Sequence, residues 1–258
     1  MWPRPPIADE YRESVSTIRR TPQHSATVIA VCDLTPRMRR LTVSAPTLRG
    51  LDPRPAQDVE LLLTDDTGRR VKRRYTIRHA RSGVGEFDLD ALLHGTALSP
   101  GARWAANAQP GDPIAFVGPR GRLELTGADW HLFVGDESAL PAIAELVEAL
   151  PPEQTAIAML EVGDASDELP LRRPHGGELE THWIRRDGAQ PGRPNLLSSG
   201  LAGLSPRPGS GHGYLLGESR AMVALRPRLR GLGLEDSAMY LKGYWNLGRL
   251  ARPLPPMP

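Results

Sequence analysis

Near Gly127 the sequence changes its pattern, and that change constrains the fold more than any single motif. Before it, short strand-like runs follow one another: TVIAVCDLT, MRRLTVSA, DVELLLTD, RRYTIRHA, GEFDLDALLH and DPIAFVGP, separated by segments carrying Pro, Gly, Asp or Arg. Within GEFDLDALLH, Phe87, Leu89 and Ala91 face one way and Asp88, Asp90 and Leu92 the other, which is the period of a strand. This succession predicts a β-barrel. After Gly127, strand and helix alternate. HLFVG leads into PAIAELVEAL, where Ala142, Leu146 and Ala149 form one helical stripe with Ile143, Val147 and Leu150 beside it. TAIAMLEV, ELETHWI, a helix around Asn195 to Leu201, YLLGE, a helix from Ser219 to Arg230 and SAMYLKGYW complete the series. Alternation of this kind predicts a parallel sheet wound with helices, with its ligand crevice beyond the carboxyl ends of the strands. The fold class expected is therefore β + α/β: a barrel over residues 25–126 and an α/β domain over 127–250, with the site at their junction. Residues 1–24 read as a Pro- and Arg-rich flexible arm, and 251–258 as a flexible tail.

With 258 residues and 40% apolar content, the chain is long enough for two domain cores. Formal charge is only +2 and aromatic residues make up 5%, which argues against a nucleic-acid partner despite the basic run RRYTIRHAR. Lys72 and Lys242 are the only lysines among 32 basic residues. Such an arginine excess suits planar contact with phosphate or carboxylate, and equally reflects the base composition of a genome. Cys32 stands alone, excluding an internal disulfide, a cysteine-ligated iron–sulfur cluster and a four-cysteine zinc site. No stretch approaches the roughly 18 apolar residues of a membrane span, and no signal-peptide core is seen. A cytoplasmic location without membrane insertion or an obligate protein partner is expected.

RRYTIR, Arg73 to Arg78, carries the most chemistry. An Arg-x-Tyr-Thr segment on a barrel strand can offer guanidinium to a diphosphate, a phenol ring to an isoalloxazine and a threonine to the polar edge of a flavin. GDESALPAI, Gly135 to Ile143, falls where the first strand of the second domain turns into its first helix. Gly135 permits a tight turn, Ser138 is placed to cap the helix, and the helix amino end suits a coenzyme diphosphate. This is not GxGxxG, and the segment alone also fits a capped helix in any α/β protein. LLGES, Leu215 to Ser219, repeats the pattern with the same alternative. The seven histidines show no metal-ligating spacing, and GxSxG is absent, so neither a metal centre nor a hydrolase is indicated.

Taken in order, RRYTIR, DLDALLHG, RWAANAQPGD, GPRG, GDESALPAI and GYW resemble the siderophore-interacting proteins, a family of flavin-dependent ferric-siderophore reductases. The resemblance runs from about Thr27 to Gly248 and implies an FAD-binding barrel joined to an NAD(P)H-binding α/β domain. It implies that Arg73, Tyr75, Thr76 and Ile77 hold FAD, that His94 and Gly95 line its other side, and that Trp104 with Ala102 closes the diphosphate loop. Gly135, Asp136, Glu137, Ser138, Gly217 and Glu218 would border NADPH or NADH, and Tyr244 and Trp245 would lie near the flavin face. Arg172, Arg173, Arg220 and Lys242 tilt the coenzyme expectation slightly towards NADPH. The substrate implied is a ferric siderophore or other iron chelate, with Arg54, Arg103, Arg120 and Lys242 as candidate contacts.

Two departures stand out. Ala102 replaces a serine of the family's diphosphate loop, a loss worth about 1 kcal/mol if one neutral hydrogen bond is involved. Asp58 and Glu60 stand in a strand where the family commonly has a DxHVKL-like pattern, so a lysine is exchanged for an acid. At an effective dielectric of about 20 and a separation near 6 Å, each such unit pair is worth on the order of 2–3 kcal/mol. Cofactor identity is thus better supported than substrate identity. A related flavin reductase with another acceptor, and a non-catalytic protein that binds a flavin or an iron chelate, both remain open.

Overall fold

The structure is a computed structural model that describes residues 23–94, 99–121 and 123–248. Six strands, β1 (Gln23–Thr35), β2 (Met38–Ser44), β3 (Asp58–Thr64), β4 (Arg70–Arg81), β5 (Glu86–Leu92) and β6 (Pro113–Arg120), close into a barrel in the order β1-β2-β5-β4-β3-β6. All the pairings are antiparallel. Val28, Leu41, Val59, Leu61, Leu89 and Phe116 fill the interior from alternate positions, as a period of two requires. Helix α1 (Pro100–Asn107) packs Ala105 into the same core. β1 begins at Gln23, two residues before the expected boundary at Ser25.

The remaining strands, β7 (Trp130–Asp136), β8 (Thr155–Val162), β9 (Leu179–Arg185), β10 (Gly211–Glu218) and β11 (Met239–Trp245), form a parallel sheet in the order β11-β10-β7-β8-β9. β7 is buried at every position, as the central strand of a sheet covered on both faces should be. Helix α2 (Leu140–Ala149) covers one face, while α3 (Asn195–Ala202) and α4 (Ser219–Gly231) share a second core on the other. The first cluster also takes in Met38, Ala56 and Leu123 from the barrel half, so the barrel docks on the face that carries α2. The chain runs β7, β8, β9 outward and then returns to place β10 on the other side of β7. β7 and β10 therefore flank the topological switch point.

Asp88 and Asp90, on the face of β5 opposite Phe87 and Leu89, are buried. Arg40 holds Asp90 through two bonds of 2.7 Å, and Arg81 donates to Asp88 at 2.9 Å. Neighbouring Arg78 on β4 is itself buried and donates to Glu145 (2.5 Å) and Glu148 (2.9 Å) of α2. The acidic face of β5 thus adjoins the ionic seam to the second domain. One sequence expectation is corrected here: Ser138 does not cap α2. Ala139 holds the N-cap position without a side-chain bond, because Ser138 is turned back to give both its N–H and its hydroxyl to Asp136 Oδ1.

Candidate functional site

On the barrel side, β4 sends Tyr75 and Ile77 to one face and Thr76 to the other. Ile77 joins the barrel core, and its N–H donates to Gln57 O at 2.9 Å. Tyr75 leans on α1, its ring 5.8 Å from that of Trp104, and burial raises its phenol well above the ordinary range. A Cβ at Gly101 would lie 2.6 Å from Tyr75 Oη and 3.1 Å from Arg73 Cγ. The first turn of α1 thus needs glycine there for both side chains to lie against it. Among the described residues Arg73 makes one hydrogen bond, to the carbonyl of Lys72 at 2.7 Å. Arg73 thus lies against the first turn of α1, and a guanidinium and a helix amino end are both groups that attract anions. Ser99 caps α1, accepting from Ala102 N over a long 3.4 Å, and the Ala102 side chain is buried, so this position offers its backbone only. His94 lies 3.4 Å from Ser99 Oγ, and burial, aided by Arg73, lowers its pKa, which favours a neutral ring. Gly95 falls outside the described residues.

On the sheet side, the ends of β7, β10 and β11 meet around one carboxylate. Asp136 Oδ2 accepts from Glu218 N (2.9 Å) and from Trp245 Nε1 (2.9 Å). A Cβ at Gly217 would lie 2.6 Å from that oxygen, so the glycine makes room for it. Gly135 is equally constrained: a Cβ would meet Leu216 O at 2.6 Å and Ile143 Cδ1 at 2.7 Å, beneath α2. Glu218 caps α4 by accepting from Ala221 N at 2.7 Å. Glu137 accepts from Gly163 N (2.7 Å) and from Arg186 (2.7 Å), which also reaches Glu161 at 3.3 Å. Burial is the main force raising the Glu161 carboxyl, to about 7, against the pull of Arg186.

Between the two sides runs a cleft of about 650 Å³, lined on the barrel by Arg37 and Leu92 to His94, and on the sheet by Asp136 to Ser138, Gly163, Arg186, Asp187 and Trp245. It opens where the carboxyl ends of the strands face the barrel, as the sequence led us to expect. Thr76 does not line it. Buried on the outer face of β4, it lies beside Tyr244, whose hydroxyl is buried without a hydrogen-bond partner among the described residues. A smaller cavity of about 380 Å³ under Trp130, at the amino end of the sheet, is remote from all these groups.

The four candidate substrate cations do not form one patch. Arg54 pairs with Glu124, and Arg103 with Asp66 (2.9 Å) beyond the far end of β3. Arg120 and Lys242 do share a wall. Lys242 donates to Asp58 at 3.0 Å and stands 5.0 Å over the Tyr244 ring, while Arg120 meets Glu60 at 3.2 Å. Arg74 adds two bonds of 2.8 Å to Asp58, and Lys72 one contact of 3.0 Å to Glu60. Each departing acid therefore has two cations, and the charge reversal read from the sequence is compensated in place. Among the described residues no group of His, Cys, Asp or Glu is arranged to hold a metal, and no helix is long and apolar enough to cross a membrane.

Among the described residues the set fits an FAD: an arginine with donors to spare beside the first turn of a helix, a buried phenol beside Thr76 with no hydrogen-bond partner, and an adjoining cleft at the switch point. Barrel and sheet together have the ferredoxin-reductase-like fold. Within that fold class, residues 63–123 match the siderophore-interacting FAD-binding domain and residues 128–248 the siderophore-interacting protein model. The chain is 33% identical over 266 residues to an uncharacterized protein of Mycobacterium tuberculosis, covering 88% of this chain and 92% of the relative. It is 33% identical over 185 residues to the ferric vibriobactin reductase ViuB of Vibrio cholerae, covering 69% of this chain and 66% of that protein. A siderophore utilization protein from T. fusca superposes with a TM-score of 0.79 at 31% identity, over 90% of this chain and 95% of the other. The chain belongs to the siderophore-interacting protein family.

Proposed function

We propose that the protein is an NAD(P)H-dependent FAD enzyme that reduces a ferric siderophore and releases ferrous iron. The observation that carries this reading is the cleft joining His94 of the barrel to Asp136 and Trp245 at the switch point, where donor and flavin can meet. Bound FAD would supply the capacity to take a hydride and pass its two electrons on singly, so that one NAD(P)H reduces two ferric ions. Arg73 and the amino end of α1 would bind the diphosphate, and Tyr244 and Thr76 would orient the ring's polar edge. Neutral His94 would border the ring without adding charge. The ledge formed by Gly135, Asp136, Glu137 and Ser138 with Gly217 and Glu218 would position the nicotinamide, under the cover of Trp245. Arg120 and Lys242 face the ferric chelate in this reading, each already partnered by an acid. Iron leaves because hard oxygen donors hold the ferrous ion less tightly than the ferric ion.

Glu60 on that wall favours a second reading, in which the acceptor is some other oxidant. Turnover of NAD(P)H with a ferric hydroxamate, a ferric catecholate and an artificial acceptor, with a ferrous-specific dye present, separates the two. Coloured ferrous complex from a siderophore supports the first. Turnover confined to the artificial acceptor refutes it.

A further inference from the structure

Building on the nicotinamide reading above, we infer that Asp187 makes the cleft select NADH over NADPH. Its carboxylate would accept hydrogen bonds from the vicinal hydroxyls of the adenosine ribose and would repel a 2′-phosphate. One end of the cleft lies at Trp245, on the end of β11, and the other at Gly163 and Asp187, just beyond the ends of β8 and β9. A dinucleotide with its nicotinamide at the first end places its adenosine half towards the second.

The charges at that second end are uneven. The cleft lining holds two arginines, Arg37 and Arg186, against the carboxylates of Asp136, Glu137, Asp164 and Asp187. Both arginines are already engaged. Arg37 reaches across from the barrel to Asp164 (2.5 Å) and Asp167 (2.8 Å), and Arg186, with its side chain 7% exposed, is held between Glu137 and Glu161. Asp187 differs from the other acids of the lining. No hydrogen bond or ion pair of its side chain is found among the described residues, and it is exposed. Its backbone is fixed nonetheless: φ is +46°, and its N–H donates to Gly163 O at 2.9 Å. That conformation suits Asp or Asn and resists most other residues. A fixed, unpaired carboxylate at a strand end is the arrangement that accepts from ribose hydroxyls in dinucleotide sites.

The cations that tilted the sequence reading towards NADPH do not line the cleft. Arg173 donates to the carbonyls of Pro151, Gln154 and Glu178. Lys242 is held by Asp58, Arg172 borders a separate groove beside α2, and Arg220 lies exposed on the first turn of α4.

The FAD-loaded full chain should be titrated with NAD⁺ and NADP⁺ by calorimetry, and its flavin bleaching followed anaerobically over a range of NADH and NADPH concentrations. NADH should be preferred by about 10- to 100-fold in kcat/KM, the scale set by one charged contact. Asp187→Asn, which keeps the backbone conformation, should bring that ratio to within about threefold. A parent that prefers NADPH, or an Asp187→Asn variant whose ratio is unchanged, overturns the assignment of Asp187 while leaving the reductase reading intact. Absence of binding and bleaching with either coenzyme overturns both.

Discussion

Trp245 donates its indole N–H to Asp136 Oδ2 at 2.9 Å, tying the end of β11 to the end of β7 across the intervening strand β10. The same oxygen takes the N–H of Glu218, so the ends of three strands converge on one carboxylate at the wall of the cleft. Trp245→Phe keeps an aromatic ring and removes one donor to a charged acceptor. A loss of about 1–2 kcal/mol is expected, seen as a lower midpoint in urea with an unchanged slope. A midpoint equal to the parent's would mean that the contact contributes nothing.

FAD affinity should divide the barrel residues by role. Arg73→Met removes the guanidinium from the amino end of α1 and is expected to weaken FAD about 10- to 100-fold. Tyr244→Phe should leave the flavin-free protein as stable as before, or up to about 1 kcal/mol more stable, because the hydroxyl it removes is buried without a partner. The same change should weaken FAD several-fold. Melting curves with and without FAD test both, and equal FAD affinity in Tyr244→Phe would remove that hydroxyl from the flavin site.

Arg78 should be the costliest surface-charge-like residue to replace, since it is 5% exposed and serves Glu145 and Glu148 of α2 from strand β4. Arg78→Met leaves those carboxylates and Asp90 without their common partner. Breaking a buried pair from one side costs roughly 3–5 kcal/mol. Denaturant unfolding is the check, and a loss below 1 kcal/mol would show the seam to be incidental.

Glu161 gives the stability a pH signature. Its carboxyl rises from 4.5 to about 7 in the folded chain, chiefly through burial. The folded state therefore holds this proton more tightly than the unfolded state does. The contribution is most favourable below about pH 4.5 and is lost as pH climbs towards 7. Glu161→Gln should match the parent near pH 4.5 and exceed it at pH 8 by on the order of 1–3 kcal/mol. A difference that does not grow with pH would contradict the raised value.

Local pattern made much of this legible in the sequence. Period-two runs such as GEFDLDALLH gave the barrel strands, and the glycines and acids after HLFV and YLL gave the two strand ends that flank the switch point. What stayed hidden depended on partners distant in the chain. Lys242 meets Asp58 across 184 residues, so the sequence could not place the cations that compensate Asp58 and Glu60, of which each acid has two. Asp88 and Asp90 showed only as one face of a strand, because nothing local announces that Arg78 and α2 will cover it. The turn Arg186-Asp187 could have been noticed, since an acid after an apolar strand is the same cue as in GDES. Ser138 went wrong for a subtler reason: a hydroxyl two residues after an aspartate can serve the aspartate as easily as the helix.

The proposed function requires the barrel to hold a flavin that relays electrons from coenzyme to iron. Its most direct test is the visible spectrum of the FAD-reconstituted protein, recorded anaerobically, first with NADH or NADPH and then with a ferric siderophore. The expected record is a flavin band that bleaches with coenzyme and returns as ferrous iron appears in a trap. A protein that takes up no FAD, or a bleached band that the ferric complex fails to restore, would contradict it.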